Sequence, residues 1–194
     1  MALKIENLYK SFDEKKIFED FSYSFTDNGL YALLGNSGIG KTTLLRIIGG
    51  LDKKYRGEII GGGVKNVSFV FQEYRLFPRL SAIENAVIPN GDMSDELLVS
   101  KASALLTRLG FTSDELSLLP DELSGGMKQR VAIVRALLRD TPTLLLDEPS
   151  KELDLRLKET LYNVVKEESD KRLVIIVTHD VSDLENLSAT RITL

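Results

Sequence analysis

The 194-residue chain contains no cysteine. Disulfides and thiolate metal sites are therefore excluded, and a reducing compartment is the natural setting. It contains one histidine, His179. Positive charge is not in surplus: 25 Lys and Arg stand against 29 Asp and Glu, a formal net charge of -4. A protein that mainly grips nucleic-acid phosphates shows a basic face, so no nucleic acid is expected as a partner. No apolar run approaches the roughly 18 residues of a membrane-spanning helix. The longest, such as Leu173 to Val177, have the length of buried strands. The N-terminal stretch MALKIENLYKSF is charged from Lys4 onward and has no apolar signal core. A chain that neither spans a membrane nor is exported is expected. Internal repeats, low-complexity stretches and linkers are also missing.

What is present is ordinary for a globular protein: 43% hydrophobic and 28% charged residues. The length suits one domain, or a domain with an appended subdomain, and is enough for a real core.

Strand-like and helix-like runs alternate. Leu30 to Leu34, Val67 to Phe71, Thr143 to Leu146 and Leu173 to Thr178 are short apolar runs of the kind covered on both faces in a parallel sheet. Ala189 to Leu194 reads as a last strand, and Thr42 to Ile48 as a helix. Between Gln72 and Leu123 the strand signals vanish. Leu98, Ala102, Leu105, Leu106 and Leu109 share one helical face, and Met127, Val131, Val134 and Leu138 form a second stripe. Lys4 to Leu8 and Phe21 to Phe25 predict a small antiparallel sheet. The expected fold class is α/β: a phosphate-loop core (1–72 and 136–194) with a mainly parallel sheet, an N-terminal antiparallel β subdomain, and an α-helical subdomain inserted at 73–135, all in one domain over 1–194.

Gly35-Asn36-Ser37-Gly38-Ile39-Gly40-Lys41-Thr42 matches G-x-x-x-x-G-K-[ST] and falls after a predicted strand and before a predicted helix. Glycines let such a backbone curl so that its N–H groups converge on phosphate oxygens. Lys41 can reach the outer phosphates, and the Thr42 hydroxyl can ligate Mg²⁺. Thr43 adds a hydroxyl at the helix start. Thr143-Leu144-Leu145-Leu146-Asp147-Glu148 supplies the acidic partner such a site needs. Asp147 is placed to hold Mg²⁺, and Glu148 to orient and deprotonate a water. A second glycine cluster opens the stripe at Met127: Leu123-Ser124-Gly125-Gly126-Met127-Lys128-Gln129-Arg130. It reads as another anion-binding helix start.

Taken together, these motifs resemble the ATP-binding cassette ATPases, the motor subunits of ABC transporters. LSGGMKQR is similar to that family's signature, and the resemblance covers essentially the whole chain in the expected order. The motif wording is most similar to bacterial importer ATPases for nitrate, sulfonates or taurine. The resemblance implies ATP and Mg²⁺ as cofactors. It implies that Phe12 stacks on adenine, that Gly35, Asn36, Ser37, Gly38, Ile39, Gly40, Lys41, Thr42 and Thr43 hold the phosphates, and that Thr42, Gln72 and Asp147 serve the metal. Lys41, Gln72, Glu148 and His179, the last as the family's switch histidine, would be catalytic. Ser124, Gly125, Gly126 and Asp154 would meet the nucleotide of a second subunit packed head to tail. A membrane-spanning permease would dock near residues 72–90, placing the protein at the cytoplasmic face of the membrane.

Three points stay open at this level. For Phe12 the alternative is an ordinary core aromatic, and for the 75–85 loop one packed on its own subdomain. Lys151 and Glu152 stand where the family usually has small residues, and they either weaken dimerisation or pair with charges opposite. A soluble non-transport ATPase of the family and a weakly hydrolysing regulatory subunit are the alternative functions.

Overall fold

The computed structural model describes residues 3–178 and 187–194. The expected switch residue His179 lies outside the described residues. The chain divides into two compact units: one comprises Met1–Phe69, Thr141–Asp147 and Val165–Leu194, the other Val70–Asp140 and Glu148–Val164.

The first unit holds two sheets. In the antiparallel one, β1 (Lys4–Phe12) lies between β2 (Lys15–Ser24) and β4 (Arg56–Ile60). Phe12 pairs with Lys15, so β1 and β2 are joined by the two-residue turn Asp13-Glu14. Asp13 takes φ 49°, as tight hairpin turns require. Both strands run further than their apolar cores suggest, because register shifts after Ile5 and Leu8 break the simple alternation. β4 has no fully buried residue, so it carries no hydrophobic signature in the sequence.

The second sheet has the order β5-β6-β7-β3-β8, with β5 Val67–Val70, β6 Thr143–Asp147, β7 Leu173–Val177, β3 Gly29–Leu34 and β8 Thr190–Thr193. The β6/β7, β7/β3 and β3/β8 pairs are parallel. Every residue of β6 and β7 is buried, which is why both read as unbroken apolar runs. Helix α1 (Lys41–Ile48) buries Leu44, Leu45, Ile47 and Ile48 in a core shared with Leu33, Leu145, Ile175 and the inward side of the antiparallel sheet at Ile5, Leu8 and Phe18.

The second unit is helical. α2 (Ala82–Val87) opens with a capping box in which Ser81 and Glu84 bond each other's backbone amides. α3 (Glu96–Arg108) is capped by Asp95, and α4 (Gly125–Leu137) by Ser124. The predicted stripe on α3 is the packed face: Ala102, Leu106 and the following Leu109 are buried. Ala82, Ala86, Val131 and Val134 are buried on α2 and α4. Buried Asn85 accepts from the Phe77 amide (2.7 Å) and donates to the carbonyls of Phe77 (3.1 Å), Leu80 (2.7 Å) and Ser81 (3.1 Å). One side chain thereby fixes the loop before α2. Helix α5 (Leu155–Ser169) starts in this unit and ends in the first. The sequence reading does not anticipate it.

Candidate nucleotide site

The site begins with the register of the parallel sheet. Asp147 on β6 and Leu33 on β3 both pair with Val177 of β7. All three residues therefore lie in one row near the carboxyl ends of their strands, where open α/β sheets bind ligands. Adjacent strands are about 4.8 Å apart, so Asp147 stands roughly two strand spacings from β3. The glycine-rich loop leaves β3 at Gly35 and turns back into α1, which returns Thr42 toward that row.

The turn demands its glycines. Gly40, with φ 120°, is packed so that a Cβ would come within 2.5 Å of Ile17 Cγ2 and 3.0 Å of Phe18 Cζ. Lys41 is buried, and its ammonium donates to the carbonyls of Gly35 (2.7 Å) and Asn36 (3.1 Å). Thr42 Oγ1 donates to Asp147 Oδ1 over 3.1 Å. Asn36, Ser37 and Gly38 are exposed, while Ile39, Thr42 and Thr43 are half-buried.

The β1–β2 hairpin adjoins this loop. Ile17 and Phe18 of β2 contact Gly40, and Lys15, the cross-strand partner of Phe12, donates to the Gly38 carbonyl at 3.4 Å. Phe12 is 49% exposed, so it is not a core aromatic. The Lys10 ammonium lies 4.5 Å from its ring centroid on one side. Lys10 is itself held by Asp52 (2.7 Å) and the Lys54 carbonyl (2.8 Å). Phe12, Gly35 to Thr43 and Asp147 thus belong to one unit and are brought together.

The remaining described candidates belong to the second unit. Gln72 is exposed, in the segment between β5 and α2. Glu148 is half-buried, takes φ 51°, and has Lys151 Nζ 3.6 Å from its Oε2. The Ser124 hydroxyl accepts from the Met127 amide at 3.3 Å and so caps α4. Gly125 and Gly126 face residue 152: a Cβ on Gly125 would collide with the Glu152 carboxylate, and one on Gly126 would lie 2.8 Å from the Glu152 carbonyl. Asp154 Oδ1 accepts from the Leu157 amide at 2.9 Å and starts α5.

Three supporting residues carry no role read from the sequence, although Arg130 closes the LSGGMKQR motif. Arg130 donates to the carbonyls of Gly126 (3.0 Å) and Leu109 (2.6 Å). Burial lowers its pKa, against the opposing pull of Glu115 and Asp154. Arg135, also lowered by burial, donates to the carbonyls of Tyr74 (3.0 Å) and Arg75 (2.8 Å). Tyr74 donates to the Glu152 carboxylate, and that bond, ahead of burial, pushes its phenol up to about 12. Their alternation with apolar residues gives only an ordinary helix or loop pattern.

A glycine loop between β3 and α1, a buried lysine and a threonine bonded to a strand-end aspartate define the phosphate-loop nucleoside triphosphatase fold. The family model for ABC transporters matches residues 18–151. The chain belongs to this family, as an ATP-binding subunit with ATPase activity. It is 38% identical over 202 residues to the aliphatic sulfonates import ATP-binding protein SsuB of Bacillus cereus, across 97% of this chain and 79% of the relative. It is 36% identical over 197 residues to the lipoprotein-releasing system ATP-binding protein LolD of Bacteroides thetaiotaomicron, across 92% and 90%. Among solved structures, the dimeric bacterial ABC transporter cassette MJ0796 matches with a TM-score of 0.84 at 31% identity, over 95% of this chain and 90% of that one. A dimeric post-hydrolysis state of MJ0796 with ADP and Pi matches at 0.83.

Proposed function

We propose that two copies of this chain, or this chain and a similar subunit, close head to tail over two ATP molecules and drive a membrane-spanning permease. Each half of the composite site occurs once in this sequence, and this reading takes the second half from another cassette. The observation that carries the reading is the Thr42–Asp147 hydrogen bond, which joins the phosphate loop to the strand-end carboxylate.

In this reading Phe12 stacks on the adenine, and the loop amides with Lys41 neutralise the triphosphate. A hydroxyl beside a carboxylate is a hard-oxygen donor pair that fits Mg²⁺, which keeps most of its coordination for water and phosphate. Thr42 and Asp147, with Gln72, would hold that ion, whose charge offsets the negative charge developing on the phosphates. Glu148 takes a proton from the attacking water, and His179 contacts the γ-phosphate. Ser124, Gly125, Gly126 and Asp154 meet the nucleotide of the other subunit. Residues 73–135 form the helical subdomain that carries this signature.

Permease docking near residues 72–90 is supported by the loop that Asn85 organises, which leaves Phe77 51% exposed. No helix among the described residues is long and apolar enough to cross a membrane. Attachment through a permease would hold the protein at the cytoplasmic face.

The test is Glu148→Gln. The variant is expected to bind ATP, to lose nearly all phosphate release, and to accumulate as a dimer by light scattering. Wild-type turnover in that variant would remove Glu148 from the mechanism. Recovery of an integral membrane protein with the tagged chain from solubilised membranes tests the transport arm.

A further inference from the structure

Glycines at the start of a signature helix keep a face open for phosphate approach. Here the side of each glycine where a Cβ would stand is filled from within the chain, at Gly125 by a side chain and at Gly126 by backbone. The Glu152 carboxylate rests directly on Gly125, and the Glu152 carbonyl lies against Gly126. The Tyr74 hydroxyl holds the carboxylate, and it too stands 3.0 Å from where a Gly125 Cβ would be. Tyr74 is in turn anchored through its own carbonyl by Arg135, on the last turn of the same helix. The chain Arg135, Tyr74, Glu152, Gly125 thus starts and ends on α4, and all of it lies within the second unit.

We propose that Glu152, held by Tyr74, is an autoinhibitory latch: in the single subunit its carboxylate occupies the face that must receive the other subunit's triphosphate. The inference rests on the composite-site reading above. Two effects oppose closure. The carboxylate fills the space over Gly125, and its charge has the same sign as the arriving phosphates. Closure requires the Tyr74–Glu152 bond to break and the side chain to swing into solvent. Glu152 is exposed, so the swing meets no packing barrier. The latch therefore sets the protein and ATP concentrations at which dimers form, and leaves the subunit's own phosphate loop untouched.

The experiment uses the full chain carrying Glu148→Gln, so that ATP-bound dimers persist. ATP-dependent dimerisation is followed by sedimentation velocity in that parent and in its Glu152→Ala, Glu152→Gln and Tyr74→Phe derivatives. Monomer affinity for ADP serves as the control. The expected result is half-dimerisation at roughly tenfold lower protein concentration for Glu152→Ala, a change of about 1.4 kcal/mol. Glu152→Gln and Tyr74→Phe are expected to shift it in the same direction by less, with ADP affinity constant throughout. Combining Glu152→Ala with Tyr74→Phe should add nothing, because both open one latch. Unchanged or weaker dimerisation in Glu152→Ala and Tyr74→Phe would overturn the latch alone and leave the composite site standing. A parent that stays monomeric at saturating ATP would overturn the composite site, and the latch with it.

Discussion

Lys151 Nζ lies 3.6 Å from Glu148 Oε2, so the candidate base is paired with a cation three residues along its own loop. Lys151 is 59% exposed on its side chain, and exposed pairs contribute about 0.2–1 kcal/mol. Replacing Lys151 by Ala removes this one cationic partner of the carboxylate at that small cost. Steady-state phosphate release is expected to rise, by no more than about fivefold. A fall in rate would mean that the lysine assists the reaction.

Two glycines of the phosphate loop separate sterics from backbone conformation. Gly40 has φ 120° and no room for a Cβ, whereas Gly38 has φ 76° and nothing within 4 Å. Gly38→Ala should cost about 1–2 kcal/mol of stability, from the left-handed conformation alone. Gly40→Ala adds an overpacking cost of about 1–3 kcal/mol. Urea unfolding of the two variants should rank them in that order.

The Thr42–Asp147 contact predicts a metal-specific defect. Asp147→Asn keeps the shape and the hydrogen bond but loses the charge. Nucleotide is expected to bind with its Mg²⁺ dependence weakened by about 10–100-fold, on the scale seen when partners of a metal site are lost. Titration of a fluorescent ATP analogue with Mg²⁺ and with EDTA reads this directly. An unchanged Mg²⁺ response would remove Asp147 from the metal site.

Beneath Phe12, burial raises the pKa of Asp52, and the Lys10 hydrogen bond with the Lys54 amide outweighs it, leaving the carboxyl below its ordinary value. A depressed folded value contributes stability above the unfolded value, about 3.9 for aspartate. That stability is lost as pH falls through the folded value. The stability difference between wild type and Asp52→Asn should therefore be constant above about pH 5 and shrink below about pH 4. Equilibrium denaturation across that range checks the sign.

The sequence carried the parts of this fold that are doubly buried or built by special backbone. The all-buried strands β6 and β7 and the glycine loop are legible because burial on both faces and φ near 120° each leave few residue choices. β4 is not legible, since it is held by pairing with β1 rather than by burial. Helix α5 is hard to read because its buried Leu161, Tyr162, Val164 and Val165 sit among charges and no motif marks the segment. At the site, motif spacing singles out Thr42 and Asp147, which the fold brings into hydrogen-bonding contact. The supporting roles of Tyr74, Arg130 and Arg135 are not legible there, because these residues act through backbone carbonyls and one carboxylate, contacts that only the folded chain creates.

Helix α4 is 13 residues long, about 20 Å from end to end. Its first turn presents Ser124 and the two glycines. Its last turn grips the carbonyls at positions 74 and 75, two and three residues beyond Gln72. A rigid rod clamped at both ends works as a lever. Through Arg135, α4 ties the loop that follows Gln72 to the glycine turn at its own start, and Arg135→Ala would cut that tie without touching the phosphate loop.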